Sequence, residues 1–360
     1  MIIGIDGNEA NVKTRVGVGW YVYYLLTEFK KFAGPKLQLR VFVKETPLDD
    51  LPKASSYFNY QIVPKRTLWS QIDLPTALFW HHRDLSVFLS PAHYSPRFCP
   101  CPTVVVVHDL SYFYYPQDFL KKDLYQLVNW TAYSLKKAQS IIAVSQLTKK
   151  DIVKNYGLPE SKIRVVYNGF SLSKIKAQPP QFKINKPYFL YLGTLQPRKN
   201  IHNLILGFEQ LLTKHPEQNL YLVGKKGWLY EEVYDLVKRR NLGHKIIFTD
   251  YVNEAEKWFL LKEATALIMP GWYEGFGLPI LEAFSVKTPV ICSQAGALPE
   301  IAGEAALYFD PAKPVELAEA MQSLIKNPEL RTKLISEGLR QLKQFSWSQT
   351  AADILKIIEA

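Results

Sequence analysis

Two glutamates, Glu274 and Glu282, stand eight positions apart in the segment GWYEGFGLPILEAF, residues 271–284. Carboxylates accept hydrogen bonds from sugar hydroxyls, and the glycines at 275 and 277 let backbone N–H groups approach a ligand closely. Pro279 fits the first turn of a helix, which predicts that Glu282 lies about one turn inside it. The spacing therefore suits a sugar at Glu274 and a ribose at Glu282, whereas a capping acid and a surface acid are the plainer alternatives.

A basic segment, GTLQPRKN at residues 193–200, follows a predicted buried strand. Asn200 is a candidate N-cap for the amphipathic run IHNLILGFEQLL, which begins at Ile201. Cations beside a helix N-terminus favour an anion, because the free N–H groups and the helix dipole act in the same direction. Arg198 and Lys199 therefore suit a diphosphate, and two solvated loop cations are the alternative.

A glycine pair opens a helical pattern in the first half of the chain, in TRVGVGWYVYYLL. Gly17 and Gly19 do not form a dinucleotide-binding motif, because a third glycine is missing and the pair lies about ten residues beyond the first strand. A ligand-facing glycine loop and a tightly packed helix start both remain open.

Polar residues also follow other predicted strands of the first half. His108 and Asp109 end TVVVVHD, where a histidine can hydrogen-bond a substrate hydroxyl or carbonyl. Ser145 is either a ligand contact or the N-cap of the next helix, and Asn168 lies in a turn with Gly169.

Short apolar runs alternate with amphipathic stretches through both halves of the chain, as expected for parallel sheets covered by helices on both faces. The predicted strands are 2–6, 39–43, 86–90, 103–109, 140–145, 163–167, 188–193, 219–224, 245–250, 265–270, 289–293 and 306–310. Clear helices are predicted at 119–138 and 146–155, and residues 314–360 are predicted to be wholly helical. Residues 171–187 contain three prolines and no clear period, which indicates a linker. The fold predicted is α/β, with two doubly wound, Rossmann-like domains and a cleft between them.

The chain has 360 residues and is 48% hydrophobic, which is typical of globular domains. It shows no signal-peptide pattern and no apolar run of about 20 residues, so we expect a cytoplasmic protein. The net charge of +11 suits nucleic acid, anionic lipid or an anionic substrate. Because the basic residues are dispersed, a nucleic-acid partner is not expected.

The three cysteines do not predict a metal site. Cys99 and Cys101 form CPCP with His93 and His108 as the nearest histidines, and Cys292 stands alone. This spacing matches no finger motif, so two loop cysteines and one strand cysteine are predicted.

Taken together, these segments resemble the retaining nucleotide-sugar glycosyltransferases of the GT-B fold, in the large group called family four. The resemblance covers nearly the whole chain, through the glycine loop, VVVVHDLSYFYYP, AVSQLTKKDI, VVYNG, YLGTLQPRKN, EGFGLPILEAF and ALPEIAGEAALYFDP. Two positions depart from the pattern: Trp20 stands where the family often has arginine, and Gly271 where serine is common.

The resemblance implies a role for each matching residue. Arg198 and Lys199 would neutralise the donor diphosphate, Glu282 would bind the ribose, Glu274 would bind the donor sugar, and His108 would touch the transferred sugar. The other donor contacts implied are Gly17, Gly19, Gly193, Gly275, Phe276, Gly277 and Leu278. Acceptor contacts are expected at Asp109, Ser145 and Asn168.

The resemblance also implies domain boundaries and a reaction. Residues 1–175 would form the acceptor-side domain, 171–187 the linker, 188–345 the nucleotide-sugar domain, and 346–360 a helix crossing back to the first domain. The expected reaction is metal-independent, retaining transfer of a hexose to a saccharide or lipid-linked saccharide in surface polysaccharide synthesis. GDP-mannose is the first donor predicted, with UDP-glucose, UDP-N-acetylglucosamine and dTDP-rhamnose as alternatives. No cofactor is expected.

A non-catalytic sugar-nucleotide-binding partner subunit is the competing hypothesis. A phosphorylase or sugar-nucleotide epimerase on the same fold is another alternative, and it is closer to the predicted glycosyltransferase than a nucleic-acid-binding protein would be. An anionic membrane surface is a further expected partner, which would make the protein peripheral on the inner face of the cell membrane.

Overall fold

The computed structural model of the chain describes residues 1–92, 94–172 and 176–360. His93, named above beside the cysteines, and residues 173–175 of the predicted linker lie outside the described residues. The chain divides into two compact units. Unit 1 comprises Met1–Tyr114, Leu120–Gly169 and Phe345–Ala360, and unit 2 comprises Tyr115–Phe119 and Phe170–Gln344.

Unit 1 is built on a seven-stranded, all-parallel sheet of described residues. In the order β3-β2-β1-β4-β5-β6-β7, its strands are β1 Ile2–Asp6, β2 Gln38–Val43, β3 Phe58–Ile62, β4 Val87–Ser90, β5 Thr103–Val107, β6 Ser140–Ala143 and β7 Ile163–Val165. Its helices are α1 Val18–Phe32, α2 Asp73–His81, α3 Ser111–Tyr114, α4 Lys121–Lys137 and α5 Gln146–Tyr156. The interior strand β5 is fully buried, which explains its nearly continuous run of valines.

Unit 2 is built on a six-stranded parallel sheet of described residues, in the order β10-β9-β8-β11-β12-β13. The strands are β8 Tyr188–Leu192, β9 Asn219–Val223, β10 Ile246–Asp250, β11 Ala266–Met269, β12 Val290–Ser293 and β13 Ala306–Phe309. The helices are α6 Ile201–Leu212, α7 Glu231–Arg239, α8 Glu254–Glu263, α9 Leu278–Ser285, α10 Leu298–Ala302, α11 Pro314–Lys326 and α12 Pro328–Leu342.

The last helix, α13 Trp347–Glu359, belongs to unit 1. Its Trp347 ring stacks on Tyr24 of α1, with centroids 5.3 Å apart, and Thr350 Oγ1 donates to the Tyr167 carbonyl at 2.8 Å. A Cβ at Gly169 would lie 2.2 Å from the Trp347 nitrogen, so this packing requires glycine. The end of the chain is thereby held against the helix that follows the glycine loop.

The α/β fold with two parallel sheets is confirmed, while several details of the prediction are wrong. Strand β3 and helix α2 were not predicted, because FNYQI alternates only weakly in burial and α2 is short and half apolar. Residues 314–360 are not wholly helical, because Asn327 separates α11 from α12 and residues 343–346 separate α12 from α13. The strand predicted through residue 109 ends at Val107.

In both units the parallel strands direct their carboxyl ends to one edge of the sheet, where a doubly wound fold binds ligands. The loops that leave these ends carry most of the predicted site residues. Among the described helices, none combines the length and the apolar composition that a transmembrane span needs.

Candidate functional site

In unit 2, two glycines bring the loops after β8 and β9 into contact. Gly193 has φ of 155° and its N–H donates to the Val223 carbonyl at 3.0 Å, while a Cβ at Gly224 would lie 1.9 Å from the Gly193 oxygen. Below them, the buried Tyr191 hydroxyl donates to the Thr194 carbonyl at 3.0 Å. The start of the GTLQPRKN loop is therefore fixed by close backbone approach and by a buried phenol.

The basic residues of this loop lie in a 3₁₀ turn, Pro197–Lys199. The Trp272 N–H donates to the Arg198 carbonyl at 2.9 Å, which joins this turn to the loop after β11. Lys199 Nζ donates to Glu274 Oε1 at 2.5 Å. The structure thus brings together Arg198, Lys199 and Glu274, three residues that the sequence placed on two separate loops.

Asn200 stands at the N-cap position of α6, but the prediction that its side chain caps the helix is wrong. Its backbone is left-handed, with φ of 56°, and its side chain makes no cap bond. Instead, Nδ2 donates to the carbonyls of Pro270 at 3.0 Å and Pro311 at 2.8 Å. The buried amide therefore joins two neighbouring loops and leaves the helix N-terminus without a side-chain cap.

The Glu274 loop is also supported from beneath by residues that the sequence reasoning missed. Gly296 has φ of 65°, and a Cβ there would lie 2.6 Å from the Glu274 nitrogen. The Ala297 N–H donates to the Glu274 carbonyl at 2.9 Å, and Ser293 Oγ donates to the Gly271 carbonyl at 2.6 Å. The only sequence signal for this support was a small-residue segment after a strand.

Helix α9 begins as predicted, with Leu278 and Pro279 in its first turn. Gly277 occupies the N-cap position with φ of 99° and offers no side-chain cap, while Gly275 and Phe276 are buried just before it. Pro279 has no N–H and the Ile280 N–H donates to the Gly277 carbonyl at 3.0 Å, so the Leu278 N–H and the helix dipole are what this N-terminus offers an anion.

Glu282 lies on the fifth residue of α9 and is already paired. Lys257 of α8 donates to Glu282 Oε1 at 2.9 Å and also lies 2.9 Å from Glu254 Oε2. Burial favours the neutral amine of Lys257, but the two carboxylates outweigh it and raise its pKa above the usual range. Lys257 therefore remains charged and orients the carboxylate of Glu282. Sequence reasoning missed this lysine, which lies 25 residues from Glu282.

In unit 1, the glycine loop is anchored by a buried arginine. Arg15 is 7% exposed, donates from Nε to the Ala10 carbonyl at 2.6 Å, and forms an ion pair with Asp50. Gly17 has φ of 38° at the N-cap position of α1, and a Cβ at Gly19 would lie 2.8 Å from the Glu9 carbonyl. The tightly packed helix start is therefore confirmed for Gly19, while contact of the glycine loop with a ligand stays a prediction.

His108 lies at the carboxyl edge of the same sheet. Its Nε2 is 2.7 Å from the Pro91 carbonyl, which requires the proton on that nitrogen, and its ring packs edge-on against Tyr21 with centroids 4.6 Å apart. Asp109 Oδ1 accepts from the Ser111 N–H and hydroxyl, which fixes the start of α3. The ring orientation of His108 is therefore set by a backbone carbonyl and an aromatic edge.

The two other predicted acceptor residues are buried. Ser145 is fully buried and its hydroxyl accepts from the Thr148 N–H at 3.1 Å, so the N-cap alternative is confirmed. Asn168 is 4% exposed, and its Oδ1 has no partner among the described residues. Contact of Ser145 and Asn168 with an acceptor stays a prediction.

The cysteines occupy the places predicted for them. Cys99 and Cys101 are half-buried in a loop with their sulfur atoms 3.6 Å apart, and Cys292 is buried in β12. Within the described part of the chain, no group of three or more His, Cys, Asp or Glu side chains is arranged to hold a metal ion.

Comparison with known families matches both halves of the sequence. Residues 174–341 match the family described as glycosyl transferases group 1, and residues 17–174 match glycosyltransferase family 4. A relative named O-antigen chain mannosyltransferase B, from Escherichia coli, is 30% identical over 291 residues, 76% of this chain and 74% of the relative. O-antigen chain mannosyltransferase RfbU from Salmonella typhimurium is 32% identical over 62% of this chain and 60% of the relative.

Solved structures share the fold over the full chain. Sucrose-phosphate synthase from Thermosynechococcus elongatus superposes with a TM-score of 0.76 at 19% identity, covering 99% of this chain and 98% of the other. Alr3699/HepE from Anabaena, in complex with UDP and glucose, superposes with a TM-score of 0.77 at 17% identity, covering 100% and 99%. At these identities the likeness is one of fold.

Proposed function

This chain belongs to the group 1 glycosyltransferases of the GT-B fold and is a hexosyltransferase, and from that membership we propose that it transfers mannose from GDP-mannose with retention of the anomeric configuration. The acceptor proposed is a saccharide or lipid-linked saccharide in the synthesis of a surface polysaccharide. The choice of mannose is supported by the two relatives named O-antigen mannosyltransferases.

The observation that carries the proposal is the cluster of Arg198, Lys199 and Glu274. Cleavage of the sugar–phosphate bond builds negative charge on the departing diphosphate and positive charge on the sugar. Fixed cations and N–H dipoles stabilise the negative charge on the diphosphate. A nearby carboxylate stabilises the positive charge on the sugar and also binds sugar hydroxyls. Lys199 and Glu274 fix each other through their ion pair, and the Trp272 N–H fixes the backbone of Arg198, so the two loops are joined before the donor binds.

In this proposal, the remaining site residues bind different parts of the donor. Glu282, oriented by Lys257, binds the ribose hydroxyls, and the N-terminus of α9 at Leu278 faces the diphosphate or sugar in this proposal. His108 contacts the transferred sugar, and the N-terminus of α1 behind Gly17 binds phosphate. No protein nucleophile is assigned, and we propose, as the family resemblance implies, that the acceptor hydroxyl attacks from the side of the leaving group.

We propose that the stabilisation of the leaving group requires no metal ion, because Arg198 and Lys199 supply the charge. UDP-glucose, UDP-N-acetylglucosamine and dTDP-rhamnose are the alternative donors, each served by the same cations. A non-catalytic sugar-nucleotide-binding partner subunit is the second candidate function. The intact charge cluster favours catalysis over that alternative.

A membrane surface is the further partner proposed, and a patch beside α2 of unit 1 supports it. This α2 patch comprises five exposed apolar side chains: Leu68, Ile72, Phe79, Trp80 and Phe98. The Arg97 N–H donates to the Ser70 carbonyl at 3.4 Å, which places the loop of Phe98 beside the turn that precedes α2.

Charge at the α2 patch favours anionic lipid. The Arg83 guanidinium lies 4.1 Å from the Phe79 ring centroid, and Arg97 lies over the Phe98 ring. The neighbouring acid Asp84 is occupied by Arg40, with bonds of 2.7 and 2.6 Å. Interleaved aromatic and cationic side chains are the pattern that binds an anionic membrane interface.

Vesicle flotation tests the membrane proposal. Wild-type protein should float with phosphatidylglycerol vesicles and much less with phosphatidylcholine vesicles, and Trp80→Ser should reduce flotation. Trp228→Ser, which removes an exposed tryptophan of unit 2, is the matched control. Equal flotation with both lipids, or an equal loss in both variants, contradicts docking through the α2 patch.

Thermal stability with nucleotides tests the donor. The protein is melted with GDP, UDP, dTDP and ADP, each with and without EDTA. A nucleotide at 100 times its dissociation constant should add about 2.7 kcal/mol. Selective stabilisation by GDP, unchanged by EDTA and lost in Glu282→Ala, is the expected result. Stabilisation by UDP or dTDP instead selects an alternative donor, and no shift with any nucleotide contradicts the donor site.

Activity and stereochemistry complete the test. Release of GDP from GDP-mannose in the presence of a lipid-linked saccharide should be unchanged by EDTA, and the new linkage should show the α configuration of the donor by NMR. Nucleotide binding without any transfer favours the partner-subunit alternative, and a β product rules out retention.

A further inference from the structure

A five-residue segment that interrupts the sequence of unit 1 belongs to unit 2. Tyr115–Phe119 cluster with unit 2, although the residues before and after them belong to unit 1. Pro116–Asp118 form a 3₁₀ turn, for which Pro116 is well suited because its ring fixes φ at the first position. The last residue of this turn is an aspartate that the donor-site assignments above do not include.

Asp118 contacts the backbone of the basic turn. Its Oδ2 accepts the Arg198 N–H at 3.1 Å, across 80 residues of sequence. The residue is only 9% exposed, and its Oδ1 is buried without a partner among the described residues. A buried oxygen without a hydrogen-bond partner destabilises the folded state, so the burial of this carboxyl is not explained by stability alone.

The contact completes the support of Arg198. Its carbonyl accepts from Trp272, and its N–H donates to Asp118, so the peptide groups on both sides of the residue are fixed. Burial raises the pKa of Asp118, and the Arg198 N–H and guanidinium offset this in part.

We propose that Asp118 is a positioning residue for the donor diphosphate, acting through the backbone of Arg198. It fixes the Pro197–Lys199 turn so that the guanidinium and the Lys199 ammonium meet the phosphates in one arrangement. This inference rests on the proposed function, in which these two cations bind a diphosphate.

If Asp118 positions the phosphate-binding turn, its replacement should weaken binding of the phosphates and not of the nucleoside. Asp118→Ala removes the acceptor and should weaken GDP and UDP about tenfold, the equivalent of one lost hydrogen bond to a positioned group. Asp118→Asn retains an amide oxygen at the same place and should weaken them threefold or less. Guanosine and uridine carry no phosphate, so their affinities should change less than twofold in either variant.

Titration calorimetry on the full chain supplies the test, with GDP, UDP, guanosine and uridine as probes. Asn327→Ala is the matched control, because it also removes a 2.9 Å bond from a backbone N–H to a side-chain oxygen, at the start of α12. That variant should bind all four probes as wild-type does. Arg198→Ala reports whether the cation itself binds phosphate.

The outcomes separate the two proposals. If Arg198→Ala weakens GDP or UDP but Asp118→Ala does not, the role of Asp118 is overturned while the donor site stands. An equal loss of nucleoside and diphosphate in both Asp118 variants likewise overturns it, because that result reports general damage to the unit. If wild-type binds neither diphosphate, or Arg198→Ala binds them unchanged, the proposed function fails and the role of Asp118 fails with it.

Discussion

Lys199 Nζ lies 2.5 Å from Glu274 Oε1, and only 17% and 13% of these side chains are exposed. The ammonium and the carboxylate therefore neutralise each other before any donor is present. In the proposed reaction, a donor diphosphate shares the ammonium with Glu274, and the carboxylate then becomes available to hydroxyls and to positive charge on the sugar. Under that proposal, the pair couples the leaving-group side of the reaction to the sugar side.

Removing either partner of this pair should impair catalysis more than donor binding. Lys199→Ala and Glu274→Gln are each expected to lower kcat about 100-fold, because each removes a fixed charge where charge develops in the transition state. Steady-state kinetics with the nucleotide-sugar measures the effect. The double variant should lose much less than the product of the two single losses, since the residues act as a unit. Fully multiplicative losses would show that they act separately.

Lys257 should matter for stability as well as for the nucleotide. Lys257→Met leaves Glu254 and Glu282 close together without their shared cation, so we expect the free energy of unfolding to fall by about 1–3 kcal/mol. Urea denaturation measures this, and calorimetry with GDP should show at least tenfold weaker binding. Lys262→Met, on the same helix, is the control and should leave both unchanged. Unaltered nucleotide affinity in Lys257→Met would remove its role in orienting Glu282.

Asp6 should make the protein less stable as the pH rises from about 4 to about 6. Burial raises the pKa of Asp6 to about 6, partly offset by the Asn8 N–H and the Lys44 charge. In that interval the folded state keeps a proton that the unfolded state has lost, so stability falls with rising pH.

Asp6→Asn tests this prediction. In the wild-type protein the Asn8 N–H donates to Asp6 Oδ1 at 3.0 Å, and the amide oxygen of asparagine can accept the same bond without titrating. The variant should be about 1–3 kcal/mol more stable than wild-type at pH 7.5 and equal to it at pH 4. Denaturant unfolding of both proteins at pH 4 and pH 7.5 measures this difference in stability. A constant difference at both values would exclude titration of Asp6 as the cause.

Gly224 should not tolerate a side chain. Its φ is 153°, and a Cβ would lie 1.9 Å from the Gly193 oxygen, so Gly224→Ala must separate the loops that begin the donor site. A loss of more than about 3 kcal/mol in unfolding free energy is expected, with loss of transfer activity. Gly243→Ala, where a Cβ would meet no atom within 4 Å, is the control and should change stability by less than about 1 kcal/mol. Similar stability of the two variants would contradict this close approach.

Local sequence patterns were sufficient wherever one element alone determines the outcome. The buried strands β5 and β8 read as apolar runs, and Pro279 placed Glu282 one turn inside α9. The weakly alternating FNYQI run was missed because its strand is specified by pairing with β2 and not by its own residues. The predicted side-chain cap at Asn200 was wrong, because its amide donates to the Pro270 and Pro311 carbonyls of two distant loops.

The sequence by itself determined the α/β class, the family and the types of charge at the donor loops, because periodicity, glycine and proline positions and short motifs are local properties. Only the tertiary structure decided which charges meet: Lys199 with Glu274, Lys257 with Glu282, and Asp118 with the Arg198 backbone. These partners are 75, 25 and 80 residues apart. The physical reason is that parallel pairing of β8 with β11 brings the loops of Lys199 and Glu274 to one edge of the sheet, and packing of α8 on α9 brings Lys257 to Glu282. A local sequence pattern does not encode which distant segments become neighbours in this way.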